Sequence, residues 1–316
     1  MAFADLKNDF VFRRIFATHP EILRGLLNDL LERRGEQTIE AIDYLSPEQL
    51  PVATGMKLSI LDVKCRDRSG ATFVVEMQLW HVAGFINRVV YNACKAYVDQ
   101  LKVGQPYTKL ADVVALSICD FVLWPDAEQD AQKLPRVPML SRWTMTEHSS
   151  GNHGLLQVQY AFLELPKLPG RKPETGAAQW AWLFVHAPEL TEVPPDLPPG
   201  PHRQALELAN QATFTPAELD AYRTVMDEIQ QAREYGDAKE AEGEARGFAK
   251  GETAGFAKGK IDAILAVLAA RGLAVSRETR ARIEACEDLP TLDRWIARAA
   301  TVTSAEDVLT PASEGR

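Results

Sequence analysis

No stretch of the chain is apolar for long enough to read as a membrane-spanning helix. The opening MAFADLKNDF lacks a basic region followed by an apolar core, so no secretory signal is read there. Cysteine is scarce, and Cys65, Cys94, Cys119 and Cys286 are scattered without a CxxC pair. That argues against a disulfide framework and fits free thiols in a reducing cytoplasm. The six histidines are equally dispersed, which removes the usual ligand spacing of a zinc site. Walker loop, dinucleotide fingerprint and GxSxG elbow are all missing. So is a basic excess: the formal net charge is −9. Phosphate binding normally leaves a basic footprint, so the overall balance speaks mildly against a nucleic-acid partner. The acid is uneven, however. Arg13, Arg14, Arg24, Arg33, Arg34, Arg66, Arg68 and Arg88 keep the first third near balance and leave room for a local basic groove.

What is present suits two domains. Phe10, Val11, Ile15 and Phe16 share one face of a helix over 8–17. Pro20 starts a second helix, with Ile22, Leu23, Leu26, Leu27, Leu30 and Leu31 on its buried side and Gly35 closing it. A short strand is expected over 38–45. Further expected elements are a helix over 84–101, strands over 113–123 and 155–165, and a Trp-rich helix over 179–186. Together they make a mixed α/β core. Residues 188–202, PELTEVPPDLPPGPH, read as a stiff linker between a first domain, 1–187, and a helical region, 203–316. In that region a long helix is expected over 218–239. Gly243, Gly247, Gly251, Gly255 and Gly259 then recur at every fourth position. Each glycine costs a helix about 1 kcal/mol against alanine. The pattern makes sense if small residues let a second helix approach, giving a self-associating stem, most simply a dimer. The alternative is a flexible charged linker. Small helices follow over 261–271 and 277–300, the latter broken near Pro290, before a frayed tail.

The richest segment lies in the first domain. Residues 58–66 and 71–79 are both β-rich, and Asp67-Arg68-Ser69-Gly70 between them is a turn signal. If Arg68-Ser69-Gly70 forms a three-residue hairpin loop, Asp67 faces Ala71 and Asp62 falls opposite Glu76. Opposed residues point to one sheet face with Cβ atoms roughly 5 Å apart. Gln78 and Lys64, each two residues along, share that face. Asp62 and Glu76 sit among apolar neighbours, ILDV and FVVEM. Charges there need a compensating cation. A divalent metal is one answer, and Mg²⁺ accepts carboxylate oxygens while keeping several waters. A structural pair with Lys64 or a nearby arginine is the other.

The order and spacing of LKNDFVFRRIF (6–16), PEILRGLLNDLL (20–31), SILDVKCRD (59–67), FVVEMQLW (73–80), FINRVVYNACKAYVDQLKVGQPYTKL (85–110) and VVALSICDFVL (113–123) resemble the PD-(D/E)xK nuclease superfamily. More narrowly they resemble the Rpn family of recombination-promoting nucleases or putative transposases. The resemblance runs through the first domain and, more loosely, into the glycine repeat. It implies a restriction-endonuclease-like fold, a mixed sheet flanked by helices. It implies a DNA endonuclease acting on double-stranded DNA with Mg²⁺ or Mn²⁺, in recombination, mobile elements or phage defence. It assigns Asp62 and Glu76 to the metal and puts Gln78 where the superfamily's name has lysine. Gln78 can orient the attacking water but brings no positive charge. Lys64, on the same face, is a candidate source of that charge. The superfamily often adds an acid from the first helix. Asp9 is the better candidate, through KNDF at 7–10, with Glu21 as the alternative. A helix N-cap or first-turn acid is the other reading of Asp9. On the helix after the hairpin, Arg88 and Lys95 are candidate phosphate contacts, with Tyr91 stacking or packing beside Arg88. Tyr97 reads as core and His81 as surface. The competing reading is a catalytically inactive DNA-binding or regulatory oligomer.

Overall fold

The computed structural model describes residues 2–49, 59–133, 135–170 and 173–310. The chain divides into two compact units, Met1–Glu228 and Ile229–Arg316.

The first unit opens with α1, Asp9–Phe16. Asn8 caps it, its side-chain oxygen accepting from the Val11 N–H at 3.2 Å. Pro20 begins α2, Pro20–Leu30, where its missing N–H costs nothing. The strands are β1 (Ile42–Tyr44), β2 (Glu48–Gln49), β3 (Ser59–Ile60), β4 (Val63–Asp67) and β5 (Thr72–Gln78). After α3, Phe85–Val98, come β6 (Val113–Cys119), α4 (Asp126–Ala131), β7 (Leu140–Met145) and β8 (Leu155–Glu164). Helices α5 (Gly176–His186) and α6 (Pro201–Leu208) complete the layer on one side.

The main sheet runs β1-β4-β5-β6-β8-β7. Its centre, β5-β6-β8, is parallel, and the outer pairs are antiparallel. Alternation sorts the side chains onto two faces. Val63, Cys65, Phe73, Val75, Val114, Leu116 and Ile118 enter the large core built with α1, α2, α5 and α6. Val74, Val113, Ala115 and Phe162 meet Phe85, Val89, Ala93 and Ala96 of α3 on the other side.

The hairpin has the expected register. Val63 pairs with Val75 and Lys64 with Val74, and the Asp67 N–H donates to the Ala71 carbonyl at 3.0 Å. Gly70 turns the chain at φ +94°, a conformation open to glycine. The expected unbroken strand over 58–66 is corrected: it bends at Asp62. Its first part, β3, pairs with β2 in a separate two-stranded sheet.

By compactness, residues 188–228 fall within the first unit. Ala205, Leu206, Ala209, Phe214 and Tyr222 are buried in its core, and Phe3 bridges to Asn210. The long helix of the tail runs further than expected. Residues 216–270 form one helix, α7, in place of separate segments. Strand β7 and helices α4 and α6 were not expected. In the second unit, Ile264 and Leu268 of α7 pack with Ile283 of α8 (Arg277–Glu284) and Leu292 of α9 (Leu289–Ala299). The break falls just before Pro290. The tail contains a short turn, Glu306–Leu309, with Val308 buried; residues 311–316 lie outside the described residues.

Candidate active site

Three elements bring the site together: the Asp62 bend, the end of β5 and the first half of α3. Where β4 diverges from β5, the Met77 N–H loses its ladder partner. The Asp62 carboxylate replaces it, one oxygen accepting from Met77 at 2.8 Å. This fixes the side chain against β5 although Asp62 lies outside the strand. Glu76 and Gln78 point to the α3 side. Asn92, buried on α3, donates its amide to Glu76 at 2.9 Å. Gln78 donates to the Trp80 carbonyl at 3.1 Å and accepts from the Arg88 guanidinium.

Burial raises the pKa of Asp62, and Asp9 adds to it; the Met77 N–H and Arg13 oppose. Burial likewise raises Glu76, with the Asp62 charge adding to it, while Arg88 and Asn92 oppose. The two carboxyls therefore feel each other in a poorly solvated place. The Asp62 side chain keeps 15 % of its exposure.

Arg13 of α1 spans two acids, 3.1 Å from Asp9 and 3.1 Å from Asp62. Asp9 is the first residue of α1 and Asn8 is the cap, so Asp9 is a first-turn acid facing Arg13. The expectation that Asp9 joins Asp62 and Glu76 as a third ligand meets a guanidinium between Asp9 and Asp62. Among the described residues, no three His, Cys, Asp or Glu side chains form a metal cage. Glu21 is elsewhere, exposed on α2, where its charge acts on Tyr44.

Lys64 lies on the expected face. Burial lowers its pKa; Asp99 opposes that, and Arg66 and Lys95 add to it. Lys95 does not present itself for phosphate: it is 4 % exposed, and its ammonium donates to the Gln49 carbonyl. Arg88 and Tyr91 are exposed. His81 is exposed beside Phe121.

Arg13 and Asn92 were not singled out by sequence reasoning. Helical spacing carried a signal for both: Asp9 and Arg13 are four apart, as are Arg88 and Asn92. At the rim, Asp120 donates its N–H to the Gln78 carbonyl at 2.9 Å and takes Lys7 as ion partner at 2.9 Å.

The donor set fits a hard divalent cation: two carboxylates, with no thiol or imidazole bonded to either among the described residues. Two protein ligands with water completing the shell is a magnesium-like arrangement.

The family described as PD-(D/E)XK nuclease family transposase matches residues 6–235. The chain belongs to this family. Its mixed six-stranded sheet with flanking helices is accordingly a restriction-endonuclease-like core, and the family is one of nucleases. No curated protein and no solved structure matches the chain. Among the described residues no helix is long and apolar enough to cross a membrane.

Proposed function

We propose that this chain is a divalent-metal-dependent endonuclease that hydrolyses phosphodiester bonds of double-stranded DNA. The observation that carries the reading is the carboxylate pair, with Asp62 fixed on the Met77 N–H and Glu76, the residue before Met77, fixed by Asn92. Of the two, Arg13 pairs with Asp62 alone, and Asp62 and Glu76 together would hold Mg²⁺ or Mn²⁺. Such an ion, when bound, activates water and offsets charge on the phosphate.

The other residues of the chain set geometry. The Met77 N–H and Asn92 lock the two carboxylates. Gln78 and Arg88 border the place of the attacking water. Arg88 and Tyr91, exposed on one helix, receive the DNA backbone. In the reaction the water oxygen bonds to phosphorus and the bond to the leaving sugar oxygen breaks. A proton lost from the water is matched by one gained by the leaving oxygen from solvent.

The family description supports recombination or mobile elements as the setting, and phage defence fits the same chemistry. Scattered free thiols support a cytoplasmic site of action. The glycine stripe of α7 supports a homodimer, since a Cβ on any of Gly243, Gly247, Gly251, Gly255 or Gly259 would meet open space. A dimer would present two sites to two strands.

A second reading is favoured by one residue. Gln78 lacks the charge of the lysine in the superfamily's name, which suits a DNA-binding or regulatory protein that has lost turnover, although the Rpn-type motif tolerates glutamine there. Cleavage of supercoiled plasmid with Mg²⁺ or Mn²⁺ separates the two. Wild type is expected to nick, and Asp62→Ala, Glu76→Ala and chelator each to stop it. Salt-sensitive DNA binding without nicking under either metal favours the second reading. Equal nicking by all three proteins contradicts the site.

A further inference from the structure

Hydrolysis of a phosphodiester builds negative charge on the attacking water and on the phosphate, and a fixed cation aimed there lowers the barrier. The family's name places lysine at the Gln78 position, and glutamine cannot supply that charge. Its amide is already engaged at both ends, the nitrogen on the Trp80 carbonyl and the oxygen on Arg88.

Three other cations nearby are committed. Arg13 is held by Asp9 and Asp62, and Lys7 by Asp120. Lys95 is buried against the Gln49 carbonyl. Lys64 stands opposite Val74, a step nearer the hairpin turn than Asp62 and Glu76. Arg88 differs. Its guanidinium lies over the buried Phe85 ring, 5.6 Å from the centroid, with a neutral amide as its partner. Among the described residues it is in no ion pair, so its charge is not neutralised at contact. An arginine held by one neutral acceptor keeps further N–H donors for a phosphate or a water.

We infer that Arg88 is the catalytic cation of this site. Held by Gln78 in the position that a motif lysine would otherwise serve, it stabilises charge on the attacking water and the scissile phosphate. Gln78 is then a positioning residue for Arg88. This inference rests on the nuclease reading.

The test compares wild type, Arg88→Met, Lys64→Ala, Gln78→Lys and the double variant Gln78→Lys/Arg88→Met. Three quantities are read for each. They are single-turnover nicking with Mn²⁺, Mn²⁺ affinity without DNA, and DNA affinity in Ca²⁺. Arg88→Met is expected to lose about 100-fold in nicking, the usual cost of removing an electrostatic contact to the transition state. Its Mn²⁺ affinity should not weaken, and its DNA affinity should stay within about tenfold, as for one phosphate contact among several. The double variant should regain at least about tenfold, because lysine restores the charge from the motif position.

The inference is overturned if Arg88→Met loses DNA affinity as steeply as nicking, which makes Arg88 a backbone anchor. Lost Mn²⁺ binding overturns it too, as does no regain in the double variant or a larger loss in Lys64→Ala. If wild type is inert but Gln78→Lys nicks, Arg88 does not replace the lysine although the nuclease site stands. If both are inert, the nuclease reading itself fails and the inference falls with it.

Discussion

The two faces of the β4–β5 hairpin follow opposite rules. On the α1–α2–α5 side, Val63, Cys65, Phe73 and Val75 disappear into an apolar core. On the α3 side stand the alternate residues Lys64, Val74, Glu76 and Gln78. There Val74 packs with Val89 and Ala93, while Glu76 and Gln78 meet Asn92 and Arg88. One strand therefore serves packing on its odd residues and chemistry on its last two even ones, Glu76 and Gln78. The odd face stabilises the fold, and the even face holds two carboxyls whose ionisation burial opposes. Substitutions on the two faces should move different observables.

The largest effect belongs to the apolar face. Phe73→Ala should lower unfolding free energy by about 3–5 kcal/mol, read by urea denaturation. A loss under about 1 kcal/mol would break the comparison. Next comes Asn92→Ala on the other face. Releasing Glu76 should cut nicking about 10–100-fold, the usual cost of losing a residue that orients a ligand. An equal loss of thermal stability and activity would instead make Asn92 a packing residue.

Smaller still, and opposite in sign, is the effect on stability of neutralising the acids. Their folded pKa values are raised, so the native state binds protons more readily than the unfolded chain. Their ionisation therefore destabilises the fold as pH rises through and above the folded values, and the penalty fades as pH falls towards the ordinary carboxylate range. Metal-free Glu76→Gln should melt above wild type at pH 8, by roughly 2–4 °C for each 1 kcal/mol relieved. The gain should shrink as the pH is lowered to 4. A variant that melts below wild type at pH 8 contradicts this sign. The smallest effect is expected from Gly251→Ala, which should stabilise α7 by at most about 1 kcal/mol. Sedimentation of Gly251→Leu sharpens the dimer proposal: a shift to monomer supports packing through the glycine stripe, and no shift opposes it.

Much of this was legible from residue patterns, because the hairpin states its own register. Asp67-Arg68-Ser69-Gly70 fixes the turn, and period-two alternation then places Glu76, Gln78 and Lys64 on one face. The bend at Asp62 was not legible. It follows from β3 leaving to pair with Glu48–Gln49, a tertiary choice without a local signal. Lys95 reads as a surface lysine because nothing near it in sequence reveals the Gln49 carbonyl that buries it. Proline density at 188–201 suggested a boundary, yet Phe214 and Tyr222 beyond it fill the core of the first unit. Arg13 was hidden differently. Its helical spacing from Asp9 was visible, but its reach to Asp62 needed α1 set beside the hairpin.

The central claim is that the α3 face of the hairpin is a divalent-cation site, and it can be tested without DNA. Melting of wild type, Asp62→Asn and Glu76→Gln would be followed in chelator and then in rising Mn²⁺. A ligand that binds only the folded state raises its melting temperature. Saturable stabilisation of wild type, lost in both variants, is the predicted result. No shift in wild type, or the same shift in all three proteins, would contradict it.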